Sequence, residues 1–450
     1  MKLYSDSKVY IFCPGNYSSG GPELLHQLAS QLLSFGVQAY MVYYQLMGFY
    51  YNPNDPVHDL YREYHVPYVS APEDNSKNII IASESATNVL YYTEKSQRVI
   101  WWLSVDNYMY NISLVIKYHK FNALAEPMPK VFYFNETDAD IDHFVQSEYA
   151  RQFIKLNGVP EERIYVVEDY LNQVFLNRAA QIDLSRKENF VAYNPKKGFE
   201  FTQQLMNLAP DIDWLPIEKM TPAQVQELLA RAKIYIDFGE HPGKDRLPRE
   251  ATISKCVVIT GRRGAAGNDV DYNIPDEFKF DEQTADLHDI IKKIREVFEN
   301  FLPAYDSQKN FRAKELNAQK NFVAEVIDAF GIKKFPPQSV ALTQGVGEKS
   351  YLIAKEILKS KDFTTKFIID DANAAITDTD NEKFIWRNRN RNFLRFDKDP
   401  IEIISRDDAK FLYAEGRIKK FALFEPTDAE LDDFKNFYEP NYSDVLIFNR

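Results

Sequence analysis

Between Ile234 and Gly264 the sequence twice runs from a β-branched, aromatic stretch into a loop of glycine and basic residues. The first run, Ile234 to Phe238, opens onto a glycine-bearing loop with Lys244 and Arg246, then onto a helix-like stretch beginning near Pro248 that carries Arg249. The second, Cys256 to Ile259, ends in Gly261-Arg-Arg-Gly264. Strands separated by helices build parallel sheets, and such sheets bind ligands beyond the carboxyl ends of their strands, where helix N-termini favour anions. Lys196, Lys197, Lys244, Arg246, Arg249, Arg262 and Arg263 all follow predicted strands of this one region. Taken singly, each is an ordinary solvated loop charge. Their recurrence after successive strands points to a phosphate site.

The clustering carries weight because the chain is acidic, with a formal net charge of -12. That balance speaks against nucleic acid as a partner. At 450 residues the chain exceeds one ordinary core, and 45% hydrophobic residues make it globular. The two cysteines, Cys13 and Cys256, each fall in or beside a predicted buried strand. They argue against a disulfide framework and for a reducing compartment. No apolar run is long enough to span a bilayer, and the first residues lack a signal-peptide layout. The expectation is a cytoplasmic protein, with peripheral contact at the inner membrane face left open. Tyrosines near the N-terminus (Tyr40, Tyr43, Tyr44, Tyr50, Tyr51) suit strand and loop packing, a groove lining or a membrane interface.

Strand-like and helix-like segments alternate from the start. Val9 to Cys13, Val37 to Val42, Asn78–Ala82, Arg98–Trp102, Val131–Phe134, His143–Gln146 and Ile164–Val167 read as strands. A helix beginning at Pro22 carries Leu24, Leu25, Leu28, Leu32 and Leu33 at helical spacing and stops at Gly36. After a polar stretch the cycle restarts. Strands are expected at Phe190–Tyr193, Ile212–Leu215, Ile234–Phe238 and Cys256–Ile259, with helices at Phe199–Leu208, Pro222–Ala232 and Pro248–Ser254. Residues 303–330 read as one long helix, ended by Gly331 and Phe335-Pro-Pro337. A third α/β segment follows, with helices near Glu348–Lys359, Asp407–Glu415 and Asp428–Phe437 and strands at Lys366–Asp370, Lys420–Phe424 and Asp444–Phe448. Its Arg- and Asn-rich middle, Asn381 to Arg395, has no clear assignment. The fold class is α/β: two tandem Rossmann-like doubly wound domains plus a smaller C-terminal α/β segment. The expected boundaries are 1–180 for the first domain, 185–330 for the second with its closing helix, and 336–450 for an extension.

Four pieces in register resemble the group 1 glycosyltransferases of the GT-B fold, over roughly residues 8 to 330. They are Gly20-Gly-Pro-Glu23 with its helix through Gly36, Val145 to Arg151 through Phe175, Lys196-Lys-Gly198, and Gly239 to Ala251 followed by Cys256 to Gly261. The resemblance implies a nucleotide-diphosphate sugar as co-substrate, a glycan or lipid-linked acceptor, a role in surface polysaccharide or glycoconjugate biosynthesis, and no required metal or other cofactor. It places Lys197 and one of Arg246 or Arg249 on the donor diphosphate; Lys196 and Lys244, in the same basic loops, are further candidates for it, with Gly20 and Gly21 giving the backbone close approach. Glu250 matches the family's ribose-binding glutamate; the competing reading is a helix-start acid beside a dipole. The partner glutamate eight residues earlier is replaced by Pro242, and Glu240 and His241 flank that position as catalytic substitutes.

Asp106, after the predicted strand Arg98–Trp102, is either a general base for an acceptor hydroxyl or, like Ser104, a helix cap. Glu23 and His26 sit on the first turns of the glycine-led helix, where a lone histidine is more often structural. The pairs Asp138/Asp140 and Asp378/Asp380 could hold a divalent cation but lack a third ligand. Asn16, Asn111, Asn135 and Asn441 head glycosylation sequons that matter only in a secreted protein. Two other functions fit the same pattern: a nucleotide-sugar epimerase, and a non-catalytic subunit that binds sugar nucleotides or glycans.

Overall fold

A computed structural model describes residues 1–4, 6–122, 130–332, 338–342, 363–370, 385–388, 391–394, 401–414, 418–424, 426–440 and 444–448. The chain divides into two units: one of residues 1–31, 39–64 and 68–331, the other of residues 32–38, 65–67 and 332–450.

The first unit holds two lobes, each built on its own sheet. Strands β1 (Lys8–Pro14), β2 (Gln38–Tyr44), β3 (Tyr68–Val69), β4 (Ile79–Ser83), β5 (Gln97–Trp102), β6 (Asp142–Val145) and β7 (Ile164–Val166) form the first lobe's sheet in the order β3-β2-β1-β4-β5-β6-β7. The described pairings of this sheet are parallel. Its core joins Phe12, Ile80, Ile100, Trp102, Tyr108 and Phe132. The second lobe's sheet contains β8 (Glu188–Tyr193), β9 (Asp213–Pro216), β10 (Ala232–Asp237) and β11 (Val257–Thr260), all parallel, in the order β11-β10-β8-β9. Successive strands therefore point their carboxyl ends the same way in each lobe. The reversal of strand order beside β1 and β8 opens a crevice where ligands bind in such sheets.

Helices α1 (Gly20–Ser34), α2 (Val105–Asn122), α3 (Glu148–Leu156) and α4 (Gln173–Ala180) belong to the first half of the chain. Helices α5 (Phe199–Leu208), α6 (Pro222–Arg231), α7 (Arg246–Ile253) and α8 (Leu287–Glu299) follow. The capping box of Thr221 and Gln224 starts α6, with Pro222 in its first position. A buried lysine, Lys187, satisfies the carbonyls where helices end: its ammonium donates to Leu229 O, Ala232 O and Ser254 O at 2.6–2.9 Å.

Several expectations are corrected. Val131–Phe134 is not a strand. Both edges of β5 are already taken by β4 and β6, and the Phe132 backbone bonds instead to the Thr87 and Tyr108 side chains. Helices α1 and α7 each begin two residues before the expected proline. Residues 303–330 do not form one helix but α9 (Phe301–Ser307), α10 (Lys309–Leu316) and α11 (Ala318–Ala329). The first break is at Gln308, whose buried amide donates to Val258 O at 2.8 Å and accepts from Val258 N at 2.9 Å. The break lets one side chain pair with β11 as a neighbouring strand would. Helix α8 was not anticipated.

The second unit contains a sheet of β12 (Gln338–Leu342), β13 (Phe363–Ile369), β14 (Ile385–Asn388), β15 (Arg391–Leu394), β16 (Ile401–Ile404), β17 (Lys420–Phe424) and β18 (Val445–Phe448). Its order is β14-β15-β16-β13-β12-β17-β18. The pairs β14/β15 and β15/β16 are antiparallel, so the Arg- and Asn-rich stretch supplies a hairpin. Helices Arg406–Ala414 and Asp428–Tyr438 match two of the expected ones. The helix expected near Glu348–Lys359, the pair Asp378/Asp380 and the sequon at Asn441 lie outside the described residues.

Candidate active site

The carboxyl ends of the two sheets in the first unit face a cleft of about 320 Å³. The first lobe contributes Gly20, Gly21, Leu24, Leu103, Gln146 and Asp169; the second contributes Asn194, Lys197, Asp237, Gly243, Lys244, Asp245, Arg246 and Leu247. Local sequence explains the convergence. Gly20 and Gly21 open α1, and a side chain at Gly20 would lie 3.2 Å from Arg246 Cδ. Gly243 runs directly against the backbone of Leu103, where a Cβ would come within 2.2 Å of the Leu103 oxygen. Only glycine lets the loop before α7 cross the end of β5 so closely. The Val105 N–H donates to Pro242 O at 3.1 Å beside that crossing.

Three of the expected basic diphosphate ligands line the cleft, and two of them, Lys197 and Arg246, keep partly exposed side chains. Lys197 donates to Asp245 Oδ2 at 2.7 Å and to Glu240 O at 3.2 Å. Arg246 is paired with Glu23 and lies 3.3 Å from Glu250 Oε1. Asp245 occupies the N-cap position of α7 without capping it. The first backbone N–H groups of α7 are therefore left without that side-chain acceptor, and orphan donors of this kind suit an anion.

The other expected ligands are placed differently. Arg249 is fully buried and held by Asp169 Oδ1 and Glu315 Oε2, both at 2.6 Å, and by Asp169 O at 3.1 Å. An arginine committed to two buried carboxylates ties α7 to the segment after β7 and to α10, and is no diphosphate ligand. Lys244 is buried against Glu168 and lies 3.8 Å from Glu315. Lys196 is exposed and outside the cleft lining. Glu250 is spent on Arg246 and is likewise not in the lining; burial raises its carboxyl pKa, with the Arg246 charge opposing. Of the two candidates beside Pro242, Glu240 is exposed and paired with Arg263, and His241 is completely buried beneath the cleft floor residues Asp237 and Asp245. Arg262 and Arg263 pair with Asp276 and Glu282.

Asp106 sits in the first turn of α2, and its carboxylate accepts from Tyr149 Oη at 3.5 Å. Burial raises its pKa, the negative charge of Glu240 adds to this, and Lys197 opposes it. This first-lobe carboxylate thus feels three second-lobe charges, Glu240, Lys197 and Asp245. Ser104, not Asp106, supplies the cap contact, accepting the Asn107 N–H at 3.2 Å. His26 is structural: it is buried, stacked on Tyr61 and bonded to Pro22 O and Tyr43 Oη. Tyr61 Oη donates to Ser19 O at 2.9 Å and accepts from Ser19 N at 3.0 Å, pinning the residue before the glycine pair. Asp138 and Asp140 pair with Arg98.

Sequence reasoning missed the acidic half of the cleft: Asp169, Asp237, Asp245 and the polar Gln146 and Asn194. A signal was present. An acid between two bases, Lys244-Asp245-Arg246, is the pattern of internally paired charge. Asp237, His241 and Asp245 also recur at every fourth position.

The first unit is thus two doubly wound parallel-sheet lobes facing a cleft that holds both charged and apolar side chains, the layout that the resemblance to GT-B enzymes implies. No protein-family model matches the sequence, and no curated protein matches it. Among solved structures the chain is similar to HepE from Anabaena in complex with UDP and glucose, at 12% identity and TM-score 0.47, over 72% of this chain and 99% of that one. It is also similar to sucrose-phosphate synthase from Thermosynechococcus elongatus, at 12% identity and TM-score 0.44, over 79% and 100%. Similarity to a mutant of S. aureus TarM, in complex with Fondaparinux, alpha-GlcNAc-glycerol and UDP, has 12% identity and TM-score 0.41. That match covers 57% of this chain, which spans 56% of the TarM chain.

Proposed function

We propose that this chain is a nucleotide-sugar-dependent glycosyltransferase, moving a sugar from a nucleotide diphosphate to a hydroxyl of a glycan or lipid-linked acceptor. The cleft carries the reading. Lys197, Arg246 and the uncapped start of α7 come from one lobe and the glycine start of α1 from the other, around a single volume at the carboxyl ends of both sheets. Breaking the bond between an anomeric carbon and a diphosphate puts negative charge on the leaving oxygen. Preorganised cations and N–H groups there lower the barrier. Arg246 offers two parallel hydrogen bonds and Lys197 a point charge. Asp106, outside the cleft lining but half-buried beside Tyr149 and raised in pKa, suits the removal of a proton from an acceptor hydroxyl brought in on the first-lobe side. Surface polysaccharide or glycoconjugate assembly at the cytoplasmic side is the setting that fits such an acceptor. No helix among the described residues is long and apolar enough to cross a membrane.

The test is calorimetry and thermal shift with a panel of sugar nucleotides. Binding is expected for at least one, and Lys197→Ala and Arg246→Ala should each weaken it about tenfold or more, the scale of a lost charge-assisted contact. Absence of binding by every sugar nucleotide at millimolar concentration would sink the proposal. One observation favours a second reading. All three cations of the cleft lining are already paired with the chain's own carboxylates, Lys197 with Asp245, Arg246 with Glu23 and Lys244 with Glu168. A non-catalytic subunit that binds sugar nucleotides would bind the same ligand but give no product with any acceptor. An epimerase would return an isomerised sugar nucleotide without one.

A further inference from the structure

We propose that His241 is a positioning residue: it takes sole charge of Asp245 when a donor diphosphate claims Lys197, so that donor binding draws a proton into the second lobe. The inference rests on reading the cleft as a diphosphate site. The geometry is a chain of charges running from the cleft into the interior. Asp245 Oδ2 lies 2.7 Å from Lys197 Nζ on the cleft side and 3.1 Å from His241 Nδ1 on the inner side. The imidazole is fully buried, with Tyr272 Oη 3.4 Å from Nδ1. Its Nε2 has no hydrogen-bond partner among the described residues; Asp237 Oδ1 is 3.8 Å away. Asp237 is itself fixed, accepting from Tyr235 Oη at 2.8 Å and from Gly239 N at 3.1 Å.

The charged and titratable groups facing His241 are therefore Asp237 on β10, Asp245 before α7, Lys197 and Tyr272, with Tyr235 behind Asp237. Tyr272 in turn feels Arg249 and Glu315. With the imidazole protonated, two carboxylates meet two cations and the group is neutral. With it neutral, the group carries one net negative charge beneath the place where the diphosphate must sit. Removing Lys197 to the ligand then leaves Asp245 with only an uncharged donor while two more negative charges arrive. A protonated imidazole supplies the replacement charge-assisted bond at no change in position. Burial pulls the imidazole pKa down, but the hydrogen bond with Asp245 and the charges of Asp237 and Asp245 outweigh it and hold the pKa above the ordinary histidine value.

The sign follows from linkage. The ligand-bound state holds the proton more tightly, so affinity is highest on the acid side. It falls as pH rises through the free-state His241 pKa, by up to about tenfold per pH unit for one proton. The test is titration calorimetry of the full chain with UDP-glucose, GDP-mannose and ADP-glucose between pH 6 and 9. Buffers of different ionisation enthalpy count the protons. The diphosphate of these diesters keeps its two charges across that range, and ADP-glucose, whose adenine does not titrate there, gives the proton count free of the uracil and guanine ionisations that begin near pH 9. The wild type should take up close to one proton and bind more weakly toward pH 9. Asp245→Asn should release Lys197, bind about tenfold tighter than wild type at the alkaline end and lose the pH dependence. His241→Gln should bind at the weak alkaline level at every pH. If His241→Gln fails to fold, the wild-type proton count and Asp245→Asn decide alone. Binding without proton uptake and with a flat pH profile overturns the inference and leaves the glycosyltransferase reading standing. No binding by any sugar nucleotide at any pH overturns both.

Discussion

Asp271 of the second lobe caps the helix that begins at Glu148 in the first. Its carboxylate accepts the backbone N–H groups of Glu148 at 2.8 Å and Tyr149 at 3.0 Å. Ser147, the helix's own N-cap, takes the Ala150 N–H at 3.1 Å, so donors of one helix are shared between its own strand end and the other lobe. A carboxylate at a helix start also opposes the dipole favourably. Asp271→Ala should cost about 1–2 kcal/mol, the usual value of a lost cap. The check is a lower midpoint in urea denaturation; an unchanged midpoint would show that the inter-lobe cap contributes nothing.

Arg249 separates a structural from a ligand role. Replacing it by Met leaves Asp169 and Glu315 in a buried site without either direct guanidinium bond, with Lys244, 3.8 Å from Glu315, as the nearest remaining cation. Breaking one partner out of such a pair costs about 3–5 kcal/mol. Arg249→Met should therefore fold poorly or melt far lower, and a sugar nucleotide should not restore it preferentially over wild type. A variant of unchanged stability that has lost only ligand affinity would return Arg249 to the diphosphate site.

The Tyr61 hydroxyl both gives and takes a hydrogen bond at Ser19, so Tyr61→Phe removes two contacts while keeping the ring on His26. A loss of about 1–2 kcal/mol is expected in stability. If the glycine pair approaches the donor, KM for the sugar nucleotide should rise more than kcat falls. Steady-state kinetics that change only in kcat would contradict this.

Glu84 is buried at the end of β4, where its Oε2 accepts the Leu103 N–H at 2.8 Å, and burial pushes its pKa up to about 7. Its folded-state pKa lies above its ordinary value, so between about pH 4.5 and 7 the folded state binds more protons than the unfolded one and stability falls as pH rises. Glu325, raised to about 7 by burial, acts in the same direction. Glu84→Gln keeps an acceptor for Leu103 and should match wild type near pH 4 but exceed it above pH 7. Melting temperatures measured from pH 4 to 8 decide this; parallel curves for the two proteins would refute it.

The alternation of apolar runs and glycine loops made both lobes legible, because buried parallel strands such as Ile79–Ser83 and Val257–Thr260 are short, β-branched and closed by turns. Prolines marked helix starts but misplaced two of them. Pro22 and Pro248 both occupy the third helical position, since any first-turn N–H is unpaired and proline is tolerated throughout that turn. Pro222, which does occupy the first position, was placed correctly. Position along the chain identified Lys197 and Arg246 as cleft residues. It could not tell that the side chains of Lys244, also in the lining, and Arg249 are buried, because which basic side chain turns inward depends on acids such as Glu168, Asp169 and Glu315, far away in sequence. The break at Gln308 was illegible for the same reason: its cause is a backbone pairing with Val258, fifty residues earlier.

That pairing has a further consequence. β11 is the terminal strand of its sheet, and an open strand margin is where foreign chains add themselves. The Gln308 amide engages both main-chain groups of Val258, and the bridge between Thr260 and Lys279 continues the cover one step along. A glutamine set at a kink between two short helices, together with that bridge, thus occupies main-chain groups that an intruding β-segment would need.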